Sequence, residues 1–112
     1  MPVHYSISLP DPAKARGSDP RLSFTANGAD EFAAQLQAAL RTPELFERWR
    51  NTQDDPDEVD PALAAIDPEA TVSGQQADLR INLSVSTRLP GDVFKQRLRL
   101  LAGHHWELRD VR

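Results

Sequence analysis

LRINLSVST, residues 79–87, decides how the rest of the chain is read. Leu79, Ile81, Leu83 and Val85 alternate with Arg80, Asn82, Ser84 and Ser86. This is the period of a half-buried β-strand, with one face toward a core and the other toward water. Just upstream, ATVS (70–73) and the GQQA segment (74–77) read as a strand and a turn, so the two strands form a hairpin. Just downstream, Pro90–Gly91–Asp92 opens a helix whose Phe94, Leu98 and Leu101 share one stripe. Gly103 suits the left-handed position that ends it. HWELRDV (105–111) then closes the chain as a strand.

The same reasoning extends toward the N-terminus. VHYSISL (3–9) alternates cleanly, with Val3, Tyr5, Ile7 and Leu9 on one face. A proline- and glycine-punctuated loop spans 10–20, and RLSFTA (21–26) alternates again through Leu22, Phe24 and Ala26. This predicts a second strand paired with the first. Asn27–Gly28 turns the chain and Asp30 suits a helix N-cap, after which Phe32, Leu36, Ala39 and Leu40 recur at helical spacing. Thr42–Pro43–Glu44 breaks this helix and starts another, with Leu45, Phe46 and Trp49 as its apolar face. Residues 51–70 are acidic and proline-broken, with one helical turn around Ala62–Ile66.

The predicted order is β, β, α(α), β, β, α, β. Without the extra N-terminal strand it is the β-α-β-β-α-β pattern of a two-layer, ferredoxin-like α+β fold, helices on one face of an antiparallel sheet. At 112 residues and 39% hydrophobic content, the chain predicts one domain over 1–112, with loop segments at 10–20 and 51–70. The other sheet face is left open and carries Arg80, Asn82, Ser84 and Ser86.

Composition excludes several chemistries. There is no cysteine, which removes disulfides, thiolate metal sites and cysteine nucleophiles together. The beginning of the chain has no basic segment or long apolar run, and no apolar stretch approaches the ~20 residues of a membrane span. A soluble, cytoplasmic protein is expected. No phosphate-loop, dinucleotide, zinc-protease or nucleophile-elbow pattern occurs.

The net charge of −4 is uneven. Residues 1–50 balance six acids against six bases, 51–78 carry eight acids and no base, and 79–112 carry seven bases and three acids. The acidic run DDPDEVD lacks the spacing of a calcium loop, so Asp54, Asp55, Asp57, Glu58 and Asp60 read as a solvated surface offered to a basic partner. Arg88, Lys95, Arg97 and Arg99 make the last helix basic, with Lys95 and Arg99 sharing a face and Arg97 pointing elsewhere. These bases are expected to pair with the acidic segment or to keep the helix soluble. Nucleic acid is not implied, because the best strand carries no aromatic platform for stacking bases.

The two adjacent histidines in LAGHHWELRD (101–110) invite a catalytic or metal reading. A regular strand from 104 splits them: His104, Trp106 and Leu108 on one face, His105, Glu107 and Arg109 on the other. They cannot then converge on one metal, and no metal or cofactor is expected. His104 keeps a place in a pocket with Trp106 and Phe94, between sheet and helices.

Pro2 heads the first strand and becomes an N-terminal amine if Met1 is removed. In this it resembles the tautomerase superfamily, whose N-terminal proline serves as a general base. That resemblance implies a catalytic Pro2, but the second strand at 21–26 departs from the family's strand-to-helix order.

The function predicted is a non-enzymatic interaction or regulatory module using the acidic segment and the open sheet face. Its implied partners are another protein of basic character and a second copy of the chain. The rival is a small cofactor-free enzyme or ligand-binding domain of dimeric ferredoxin-like type, using the His104, Trp106 and Phe94 pocket.

Overall fold

The computed structural model describes residues 2–112. Four strands, β1 (Val3–Leu9), β2 (Thr71–Ala77), β3 (Arg80–Thr87) and β4 (Glu107–Val111), form one antiparallel sheet in the order β2-β3-β1-β4. Three helices accompany it: α1 (Ala29–Arg41), α2 (Glu44–Arg50) and α3 (Gly91–Ala102). Short 3₁₀ turns occupy Pro12–Lys14, Pro56–Glu58 and Pro61–Ala64, each with its proline at the start, where a missing N–H costs nothing. The class is α+β.

The helices form where the sequence gives them a stripe and ends. α1 buries Phe32, Ala33, Leu36, Ala39 and Leu40, carries Asp30 and Glu31 in its first turn, and ends in Arg41, matching the helix dipole. Its N-cap is Gly28, not Asp30, which sits inside the first turn. Thr42 leaves the helix in extended conformation because Pro43 follows. α3 buries Val93, Phe94, Leu98 and Leu101, and Phe94 stacks on Tyr5 of β1 with centroids 4.3 Å apart. It stops at Gly103, whose φ of 64° and close approach to the Arg16 carbonyl both suit glycine.

Three expectations are corrected. RLSFTA is not a strand, so there is no extra N-terminal strand. Both edges of β1 are already taken, by β3 and by β4, and no edge remains for a hairpin partner. The alternation still reports burial: Leu22, Phe24 and Ala26 enter the core, while the backbone bonds elsewhere, Phe24 N–H donating to Leu101 O at 2.9 Å.

The second correction is at GQQA, which is strand rather than turn. Gly74 pairs with Leu83, and a Cβ there would collide with the Ala29 carbonyl of α1. The glycine marks a close backbone approach. The true turn is at Asp78, with φ 55°, and it leaves Leu79 87% exposed at the hairpin tip instead of on the core face.

The third concerns the C-terminal strand. It begins at Glu107, after both histidines, and a bulge interrupts its pairing with β1 between Leu108 and Asp110.

Candidate functional site

The acidic segment is an ordered surface. Arg50, at the end of α2, donates Nε to the Pro56 carbonyl at 2.9 Å and Nη2 to Asp57 at 3.3 Å. The Asp60 carboxylate accepts from Ala62 N–H at 2.9 Å and caps the next turn. At its far end, Asp67 is buried and clamps the segment to the sheet. It accepts from Arg88 N–H at 2.8 Å, Thr87 Oγ1 at 2.9 Å and Glu69 N–H at 3.0 Å. The Arg88 backbone N–H is the main reason its pKa lies below the ordinary carboxylate value.

Underneath runs Arg97 from α3, fully buried. It donates Nη1 to the Ala39 carbonyl at 3.0 Å, and Nη2 to Leu63 at 2.7 Å and Ala65 at 2.9 Å. Its guanidinium lies over the Phe46 ring, 5.6 Å from the centroid. Burial pulls its pKa below the usual arginine value. One guanidinium therefore ties α1, α3 and the acidic segment together through carbonyl oxygens. Of the two readings given for the bases of this helix, keeping it soluble is corrected for Arg97: it is buried and meets the acidic segment through main-chain carbonyls, not carboxylates. The available signal was position: residue 97 follows Val93 by four and precedes Leu101 by four, inside the apolar stripe.

Asp54, Asp55, Asp57, Glu58 and Asp60 are all exposed. Among the described residues, only Asp57 of these five has a basic partner within salt-bridge distance, Arg50. Beside them is a notch of about 250 Å³, walled by Phe46, Val59, Pro61 and Ala64 with Arg50 and Asp57 at its rim. Arg88 reaches the other acidic stretch, 3.8 Å from Glu69 on the surface.

The residues of the rival pocket are not brought together. Phe94 is fully buried against Tyr5, whereas His104 is exposed in the turn after α3. Trp106 is half-buried, its Nε1 donating to the Gly103 carbonyl at 2.9 Å. His105 is also exposed and precedes the strand, so it does not continue the Glu107–Arg109 ion pair of 3.9 Å. Among the described residues, no group of three or more His, Asp or Glu is placed to hold a metal ion. A hollow of about 250 Å³ lies between residues 20–25, α1 and α2, and several of its polar groups are engaged with one another. Gln35 bonds Thr25 twice and Arg48 reaches the Arg21 carbonyl.

The sheet face away from the helices is polar throughout. The register aligns His4, Ser86 and Thr71 in one row, Ser6, Ser84 and Ser73 in the next, and Ser8, Asn82 and Gln75 in a third. Arg80 leans over this face, its Nη1 within 3.4 Å of Ser8 Oγ. Ser8 is buried; the other hydroxyls and amides of this face are open to water and give little drive to burial.

Compared with known proteins, the chain matches no family profile, no curated protein and no solved structure. No helix among the described residues is long and apolar enough to cross a membrane.

Proposed function

We propose that the chain is a non-enzymatic, cytoplasmic interaction module that presents residues 54–60 as a preorganised acidic surface to a basic protein partner. We also read its β-α-β-β-α-β order and antiparallel sheet as ferredoxin-like. One observation carries the functional reading: five exposed carboxylates ride on a backbone held at Pro56 by Arg50 and just downstream, at Leu63 and Ala65, by Arg97, and among the described residues four of the five have no base within salt-bridge distance. Arg97 binds only main-chain carbonyls and Arg50 spends one of its two bonds on a carbonyl, so they fix the segment and leave most of its charge for a partner. Preorganisation lowers the ordering cost of association, and unpaired surface charge steers and selects an oppositely charged partner. The adjoining notch suits the alkyl stem of a lysine or arginine whose charge meets the acids.

Affinity capture from the native host at low and moderate salt tests this reading. A basic partner held by the wild-type chain should be lost when Asp54→Lys, Asp55→Lys and Asp57→Lys are combined, and its binding should weaken with salt. An unchanged set of captured partners after the charge reversal overturns the proposal.

A further inference from the structure

A separate surface, the outer edge of β4, has the pattern of a self-complementary strand. Arg112 and His4 exchange both of their backbone hydrogen bonds, at 2.8 and 3.0 Å. Strand alternation then turns the backbone groups of Val111 away from β1. Among the described residues its N–H accordingly finds only the carboxylate of its own neighbour, Asp110, at 3.0 Å. Leu108 and Val111 are 39% and 49% exposed, on the side of the sheet that faces the helices, opposite Ile7 and Tyr5 of β1. The strand therefore offers unpaired backbone and two uncovered apolar side chains together.

The order of its side chains is what points to an occupant. Reading ELRDVR (107–112) against itself in the antiparallel direction places Glu107 opposite Arg112, Leu108 opposite Val111, and Arg109 opposite Asp110. Each acid meets a base and each exposed apolar residue meets another. Slipping by one residue either way puts Arg109 opposite Arg109 or Asp110 opposite Asp110, with Leu108 facing a charge. One register is thus favoured and its two neighbours are penalised.

In an unbroken strand this register would fail, because residues five apart in sequence point to opposite faces. The bulge removes the conflict. Glu107 and Asp110 lie on the open face opposite Ser8 and Ser6, Arg112 lies there opposite His4, and Arg109 lines a depression of the same face with Ser6 and Ser84. Leu108 and Val111 remain together on the helix side. Every opposed pair therefore shares a face, as antiparallel partners must.

We propose that β4 pairs with β4 of a second copy about a two-fold axis between Arg109 and Asp110, joining two four-stranded sheets into one of eight. The pairing gives the Val111 N–H a strand partner and covers Leu108 with Val111 of the other copy, twice by symmetry. In the isolated chain Arg109 pairs with Glu107 and Arg112 with Asp110 along the same strand. These bases are surface-exposed and free to turn across the axis.

Sedimentation velocity of the full chain over a concentration series tests this, with circular dichroism confirming that each variant is folded. The wild type should show a monomer–dimer equilibrium. Arg109→Asp and Asp110→Arg should each weaken dimerisation by about tenfold or more, since each places two like-charge pairs at the axis. The double variant, which swaps the charges, should restore it. A wild-type chain that stays monomeric up to about 1 mM overturns the proposal. A dimer indifferent to both reversals, or one not rescued by the swap, overturns it equally. The acidic-segment reading is untouched by either result, because Asp54, Asp55 and Asp57 lie outside this edge.

Discussion

Along β2, outward backbone groups meet the protein's own α1; along β4, they meet water or their own side chains. Val72 N–H donates to Gln37 Oε1 at 3.0 Å, Arg41 Nε bonds the Ala70 carbonyl just before the strand, and Gly74 admits the Ala29 carbonyl against the strand itself. At the other edge, among the described residues, Val111 N–H has only the Asp110 side chain. The two sequences fit these fates. TVSGQQA has no charge with which to resist pairing, and left bare it would invite aggregation. ELRDV carries a charge at three of its five positions, which tolerates exposure and admits only a complementary strand. The difference teaches where association is possible: the helix layer consumes one edge and spares the other.

The largest effects should come from what anchors α1, by Arg97 on its α3 side and by Gly74 over β2. Arg97→Ala would orphan the carbonyls of Ala39, Leu63 and Ala65 and remove packing against Phe46. We expect a loss of about 4 kcal/mol in urea unfolding, with proteolytic sensitivity appearing first in residues 51–66. If the loss were near zero, the acidic segment would not depend on this anchor. Next in size, Gly74→Val drives a side chain into the Ala29 backbone and should cost about 3 kcal/mol. Leu108→Val on the open edge should cost about 0.5 kcal/mol or less in the monomer. Equal costs at the two sites would erase the contrast between the edges.

An effect between these, and dependent on pH, belongs to Asp67. Its folded pKa is lowered, so its contribution to stability is present above the unfolded carboxylate value and is lost as pH falls through the folded one. Asp67→Asn should therefore cost about 2 kcal/mol at neutral pH. The gap between variant and wild type should close below about pH 4. A gap that is constant from neutral pH to pH 2 would mean that Asp67 acts through shape alone.

Local patterns in the sequence located much of this fold. The alternation of β1 and β3, the stripe of α3 and the stop at Gly103 each depend on neighbours within a few residues, and each was legible. What was not legible depends on partners far along the chain. RLSFTA has a strand's alternation, yet β1, its expected partner, has both edges taken by β3 and β4. Gly74 looks like a turn because its reason for being glycine lies at Ala29. Leu79 continues the β3 pattern on paper, but it is half of the two-residue turn that joins β2 to β3. The acidic residues stood out by composition, which did not mark Arg97 and Asp67 as the buried groups that hold the segment. The paired histidines drew notice as chemistry and are exposed turn residues, because α3 ends at Gly103 and the strand has not yet begun.

The contrast between the edges is tested most directly by amide hydrogen exchange, residue by residue, at two protein concentrations. The account predicts that Val72 N–H exchanges slowly at both, protected from within by Gln37. Leu108 and Val111 should exchange quickly in dilute solution and slowly when concentrated, as a second strand covers them. Concentration-independent exchange at Leu108 and Val111, or fast exchange at Val72, would contradict it.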